Sequence, residues 1–271
     1  MKVYHTPAGI AVRADMRWYR ARDVSFDELF RASDPSAWLR SRLERAPDAR
    51  VAGELHPPLQ GQEVWAAGVT YYRSREARME ESEREADVYD RVYEAERPEL
   101  FFKATPHRVV GHGAQVRIRA DSHWNVPEAE LTLAVNREGR IFGYTIGNDM
   151  SSRSIEGANP LYLPQAKIYD SGCALGPCLL LTHEAPPPTT EIALRVARGG
   201  IDVYRGSVRL SQMRRAPEEL VEFLYRECTF PNGCYLLTGT GIVPEGDFTL
   251  AAGDEIEIVI EPIGTLTNRV R

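Results

Sequence analysis

Only four cysteines occur in 271 residues (Cys173, Cys178, Cys228 and Cys234), and none belongs to a C-x-x-C pair. That scarcity argues against a disulfide framework or a structural zinc site, and it leads us to expect reduced thiols and a cytoplasmic location. No run approaches eighteen consecutive apolar residues, so no membrane-spanning helix is expected. The opening M-K-V-Y-H-T-P-A-G lacks the apolar core of a signal peptide. Blocks of Lys or Arg are missing too. With 33 basic against 39 acidic residues the formal net charge is −6, which argues against a nucleic-acid partner. There is no internal repeat and no low-complexity tract. What is left is a globular composition, 43% hydrophobic and 27% charged. The length suits one large domain, or one large and one small.

The pattern divides softly at the Pro/Gly connector H-P-P-L-Q-G-Q. Residues 1–58 read as a small α+β unit: two short strands around T-P-A-G, then a helix capped by Ser25, then a helix with Trp38, Leu39 and Leu43 at helical spacing. Residues 59–271 read as mostly β, a curled sandwich or roll. Strands are expected at E-V-W-A-A-G-V-T, L-F-F-K-A, Q-V-R-I-R, E-L-T-L-A-V, I-F-G-Y-T-I, C-L-L-L-T, I-A-L-R-V-A, V-Y-R-G-S-V, Y-L-L-T-G-T and E-I-E-I-V-I-E. One helix stands among them, A-P-E-E-L-V-E-F-L-Y-R-E, with Leu220, Phe223 and Leu224 as its buried stripe and Pro217 in its first turn. The charged run 74–96 has a thin apolar stripe (Met79, Val88, Val92, Tyr93). It fits either a solvated surface helix or a lid over a site.

The stretch V-P-E-A-E-L-T-L-A-V carries the chemistry. On a strand, Glu128 and Glu130 point to one face. A hairpin through N-R-E-G would bring Asp149, in G-N-D, opposite the Glu128 end. Three converging carboxylates offer only oxygen, which suits Mg²⁺ first and Mn²⁺ or Ca²⁺ next. The alternative is an exposed strand face carrying surface carboxylates. Downstream, the loop S-S-R-S-I-E-G-A-N-P-L-Y-L-P-Q-A-K-I-Y-D-S-G-C-A-L-G-P is rich in Gly, Pro and polar residues. It holds Arg153, Glu156, Gln165 and Lys167, any of which can serve a site or simply be surface charge. Lys103, inside the apolar L-F-F-K-A, needs a partner or a route to water.

Over roughly residues 60–271 these motifs resemble the fumarylacetoacetate hydrolase superfamily. The matching marks are W-A-A-G-V-T-Y, F-F-K, E-A-E, G-Y-T-I-G-N-D-M-S-S-R, the Lys of Q-A-K-I-Y-D-S-G-C-A-L-G-P, L-L-T-G-T and E-P-I-G-T-L-T-N-R-V. The resemblance implies a β-roll catalytic domain, a divalent metal and usually a homodimer. It makes Glu128, Glu130 and Asp149 metal ligands, turns Lys103 and Lys167 to the substrate, and sets Thr240 against the substrate carboxylate. Arg153, Glu156 and Gln165 fall in a polar substrate loop. One departure matters. Ser74 occupies the approximate position of the His that hydrolases of the family use to activate water, and nearby Glu76 does not match the register of their Glu.

That departure, with R-S-I-E-G-A-N-P-L-Y-L-P-Q-A-K-I-Y, points to the branch that dehydrates 2-keto-3-deoxy sugar acids. A 2-keto acid offers a carboxylate and a keto oxygen to Mg²⁺, which eases loss of a C3 proton. Lys167 would take or relay it, and Glu156 or Glu76 would help the C4 hydroxyl leave. For a pentonate the product would be 2,5-dioxopentanoate. Acylpyruvate-type C–C hydrolysis, with His123 replacing the missing base, is an alternative, as is oxaloacetate decarboxylation or tautomerisation. A non-catalytic binding module is the remaining one. His5, His56, His107, His112 and His183 have no role assigned.

Overall fold

A computed structural model describes residues 1–46, 51, 53–73 and 92–271. Among the described residues the largest element is a long sheet. Its order is β4 (Leu43–Arg45), β3 (Arg17–Ala21), β2 (Gly9–Ala14), β1 (Lys2–Thr6), β13 (Cys173–Leu181), β11 (Ile141–Asp149), β10 (Ala129–Val135), β16 (Cys234–Leu237), β5 (Glu63–Gly68) and β6 (Glu99–Ala104). β7 (Val109–Val110) adds to β13. A second sheet runs β15 (Ile201–Arg209), β14 (Glu191–Arg198), β17 (Glu255–Ile260), β18 (Gly264–Val270) and β8 (Gln115–Val116). A short pair joins β9 (Asn125–Val126) to β12 (Ser151–Ser152).

Period-2 patterning sorts the faces. β17, E-I-E-I-V-I, alternates exposed and buried as expected for a sheet covered on one side. β10 is buried at every position because β11 and β16 flank it and both its faces are covered. Leu131, Leu133 and Val135 join Leu194, Ile256 and Ile258 in the core between the sheets. Ala134 turns the other way, into a second core with Val3, Phe26, Phe30, Phe142 and Tyr235. Glu130 and Thr132 share the Ala134 face by alternation, so the carboxylates lie on the side of the long sheet away from the second sheet. The connector near residue 58 is spanned by hydrogen bonding between β1 and β13, and the second core draws on residues from both sides of it.

Several local expectations change. The first helix, Phe26–Arg31, has the Ser25 capping box. The second, however, ends at Arg40, and Leu43 enters β4 beside Ala21. Q-V-R-I-R keeps only Gln115–Val116 as strand, because Arg117 turns to bond Ser171. C-A-L-G-P, expected in the loop, is the start of β13. In helix Pro217–Tyr225 the buried third member is Val221. Phe223 stays at the rim, with guanidinium groups of Arg97 and Arg226 at 5.3 and 4.2 Å from its ring. The charged run falls outside the described residues up to 91. Residues 92–96 are gripped by Arg214, stacked 4.5 Å from the Tyr93 ring, and by Arg215, which donates to Glu96 O at 3.0 Å.

Candidate active site

The E-x-E strand and the G-N-D turn meet through ordinary antiparallel register. Ala129 pairs with Asn148 and Glu130 with Gly147. One step further, Glu128 and Asp149 exchange main-chain hydrogen bonds of 3.3 and 2.9 Å. Glu128, Glu130 and Asp149 therefore project from one face. The place opposite Glu130 is a glycine, and a Cβ on Gly147 would come within 2.4 Å of Thr132 Oγ1. Carboxylate oxygens from all three residues lie within 4.8 Å of one another. All three residues are buried, at 4%, 1% and 1% exposure, which rules out the exposed-face alternative.

Three anions at that spacing repel by about 3 kcal/mol per pair at an effective dielectric of 20. Cations of the chain offset part of this. Lys167 Nζ reaches Glu128 Oε2 at 2.7 Å, Asp149 Oδ2 at 3.3 Å and Ser151 Oγ at 2.6 Å. Arg153 Nη2 donates to Glu128 Oε1 at 3.0 Å. Lys103 Nζ pairs with Asp149 Oδ1 and donates to Met150 O at 3.0 Å and Lys167 O at 2.6 Å. Glu130 is held by the Gly239 amide at 2.6 Å. Burial, then the charges of Asp149 and Glu128, push the Glu130 carboxyl well above the usual carboxylate range; Lys167 and the Gly239 amide pull the other way. An all-oxygen, buried, mutually repelling triad fits a hard divalent cation.

The polar loop is more structured than its composition suggests. It folds into helix Arg153–Glu156 and helix Leu163–Lys167. Arg153 and Glu156, three apart, share a face and are buried. Gln165 and Lys167 are two apart, close to opposite sides of a helix turn. Lys167 is buried and Gln165 is exposed. Thr240 is buried, and its hydroxyl accepts from the Ile242 amide at 3.1 Å. Ser74 and Glu76 lie outside the described residues, and His123 is exposed. Sequence reasoning passed over four neighbours. Ser151 bonds Lys167, and the Gly239 amide bonds Glu130. Burial and the Glu130 charge push the Tyr71 phenol up. Burial and Asp149 push up that of Tyr169, whose ring is 5.7 Å from Lys103 Nζ. The available signals were S-S directly after N-D-M and the glycine inside T-G-T.

Comparison with known proteins matches residues 64–271 to the family described as fumarylacetoacetate (FAA) hydrolase C-terminal. A probable 2-keto-3-deoxyxylonate dehydratase of Haloferax volcanii is 49% identical over 224 residues, 82% of this chain and 77% of that protein. The 2-dehydro-3-deoxy-D-arabinonate dehydratase of Saccharolobus solfataricus is 40% identical over 264 residues, 96% of this chain and 86% of that one. Among solved structures, a 2-keto-3-deoxy-D-arabinonate dehydratase complexed with magnesium and 2,5-dioxopentanoate superposes with TM-score 0.84 at 34% identity, covering 100% of this chain and 99% of the other.

Proposed function

The chain belongs to the fumarylacetoacetate hydrolase family, and on that premise we propose that it is a Mg²⁺-dependent dehydratase of a 2-keto-3-deoxy sugar acid, converting a pentonate to 2,5-dioxopentanoate. The observation that carries this reading is the buried triad of Glu128, Glu130 and Asp149 with Lys167 against it. The relatives' activities give the substrate class.

The three carboxylates would hold Mg²⁺, which when bound supplies positive charge against the negative charge that builds on the keto oxygen. Lys167 Nζ takes or relays the C3 proton. Its partners Glu128, Asp149 and Ser151 orient it. Glu156, buried on the same helix face as Arg153, assists departure of the C4 hydroxyl as water, with Glu76 as the other acid in reach of this role by sequence. Arg153, which also steadies Glu128, and Thr240 contact the substrate; Ser74 and the exposed Gln165 are assigned to its outer end. Water leaves with one proton from C3 and the hydroxyl from C4, giving a 3,4-unsaturated 2-keto acid; loss of a C5 proton and return of one to C3 then give the C4–C5 enol, which tautomerises to the dioxo acid. Burial of the triad with Lys167, Arg153 and Glu156 keeps bulk water from the reacting centre and strengthens each charge interaction. We also assign the protein to a homodimer in the cytosol. Free thiols at all four cysteines accord with the cytosol, and among the described residues no helix is long and apolar enough to cross a membrane.

The test is turnover of purified protein with Mg²⁺, offering 2-keto-3-deoxypentonates, acylpyruvates and oxaloacetate in parallel. EDTA-sensitive formation of 2,5-dioxopentanoate is the expected result. Pyruvate from acylpyruvates would instead mean hydrolysis with another base in place of the missing His. Pyruvate and CO₂ from oxaloacetate would mean decarboxylation.

A further inference from the structure

Two lysines are buried at this site, and their partners differ in kind. We infer that Lys103 is a positioning residue that locks Asp149 and Lys167 to each other, leaving Lys167 as the one lysine turned to the substrate. The substrate part of this inference rests on the dehydratase reading; the metal part does not.

An ammonium has three donors and no acceptor. At Lys103 two donors are met by main-chain carbonyls, Met150 O at 3.0 Å and Lys167 O at 2.6 Å, and the ammonium is ion-paired with Asp149 Oδ1. A substrate takes the remaining donor only by competing with the Asp149 carboxylate beside it. Two of the three partners are main-chain carbonyls, which cannot accept a proton in a catalytic step. They are also fixed in place. The Met150 amide bonds Gly172 O at 3.1 Å, and the Ile168 amide, next after Lys167, bonds Pro164 O at 2.9 Å. Lys167 is the last residue of its short helix, where carbonyls lack intrahelical donors. Lys103 supplies that donor from β6, across the fold. One side chain thus ties the end of β11, which bears a proposed metal ligand, to the helix end that bears Lys167.

Lys167 is the opposite case. Its ammonium bonds to side chains, two carboxylates and a hydroxyl. These rearrange by rotation and compete with an incoming ligand. Charge alone also separates the two roles. If Lys103 acted only as a positive charge beside Asp149, removing it would tighten cation binding. If it holds Asp149 in place, removing it loosens cation binding, and outer partners of metal ligands typically contribute 10–100-fold to affinity or rate.

The experiment uses Lys103→Met and Lys103→Gln in the full chain. Mn²⁺ dissociation constants are read by electron paramagnetic resonance without substrate, and kcat and KM are read at saturating Mg²⁺. We expect Mn²⁺ to bind about tenfold or more weaker, kcat to fall about a hundredfold, and KM to stay within about threefold. Lys103→Gln, which retains a donor toward Asp149, keeps the readout if the Met variant does not fold, and its losses should be the smaller. A KM raised tenfold with kcat and Mn²⁺ affinity unchanged would overturn the inference, because it would put Lys103 on the substrate. Tighter Mn²⁺ binding in either variant would overturn it as well. Wild-type protein that binds Mn²⁺ but turns over no 2-keto-3-deoxy acid would sink the dehydratase reading and leave the metal comparison intact.

Discussion

Gly239→Ala tests whether the T-G-T turn holds the triad in shape. Gly239 has φ +89°, in the region that favours glycine, and an alanine there costs about 1–2 kcal/mol from backbone strain alone. Its Cβ would lie 2.1 Å from Thr70 Oγ1 and 3.0 Å from Ala67 O. Thr70 cannot easily retreat, since its hydroxyl donates to Thr238 O at 2.6 Å in a buried setting. The turn must therefore move, and with it the Gly239 amide that reaches Glu130 at 2.6 Å. A hydrogen bond to a charged group contributes about 1.5–3 kcal/mol. At 1.4 kcal/mol per tenfold, its loss weakens Mg²⁺ binding about tenfold to a hundredfold. Calorimetric titration with Mg²⁺ reads this directly. Gly253→Ala is the matched control. Its φ is +91°, but its nearest neighbour is Arg269 Nη2 at 4.0 Å, so it carries strain without the collision. Both variants should lose Tm, and only Gly239→Ala should lose Mg²⁺ affinity. Mg²⁺ affinity within twofold of wild type in Gly239→Ala would refute the reasoning.

Lys167→Ala should lower turnover by about a hundredfold or more, the usual worth of a positioned acid or base, with Mg²⁺ binding retained because a competing cation has left the triad; near-normal turnover would remove Lys167 from the mechanism. Arg215→Ala should cost about 3 kcal/mol of stability, or roughly 6–10 °C in Tm, because Glu96 O, Val92 O and the Glu219 carboxylate lose a donor that now stands 3.0, 3.3 and 2.6 Å away; a Tm within a degree of wild type would show that water replaces the guanidinium at no cost. The raised Glu130 carboxyl sets a pH dependence in metal-free protein. The folded state keeps this proton above the ordinary value of 4.5, where the unfolded chain has released it. Folded protein then binds more protons than unfolded, so stability from this group falls as pH rises above 4.5, by at most about 1.4 kcal/mol per unit. The difference in unfolding free energy between wild type and Glu130→Gln should decline with pH from 4.5 upward and level off past the folded value, and Mg²⁺ should abolish the decline; a difference that rises with pH would mean that Glu130 is ionised and well compensated without metal.

How much of this was legible in the chain depends on which physical rule governs each residue. The triad needed only strand alternation and one hairpin register, both local, and Glu128 and Asp149 fall opposite each other as that register requires. Gly239 and Ser151 were hidden for a different reason. Their contacts to Glu130 and Lys167 depend on a turn between sheet strands and on where a helix ends, and neither is fixed by period-2 or period-3.6 patterning. Lys103 shows the limit most clearly. A lysine in an apolar run announces that it has partners, but sequence cannot distinguish a substrate from two distant carbonyls at Met150 and Lys167. Inside the polar loop more was available than composition suggested. Once Arg153–Glu156 and Leu163–Lys167 are helical, the spacing of three places Arg153 and Glu156 together, and the spacing of two separates Gln165 from Lys167. On the proposed function, the outer end of a polyhydroxylated substrate would be met at the rim, by groups such as the exposed Gln165. Shortening Gln165 should therefore raise KM for the longer sugar acids and leave Mg²⁺ affinity unchanged, whereas an equal KM change for a two-carbon-shorter 2-keto acid would place Gln165 at the reacting end instead.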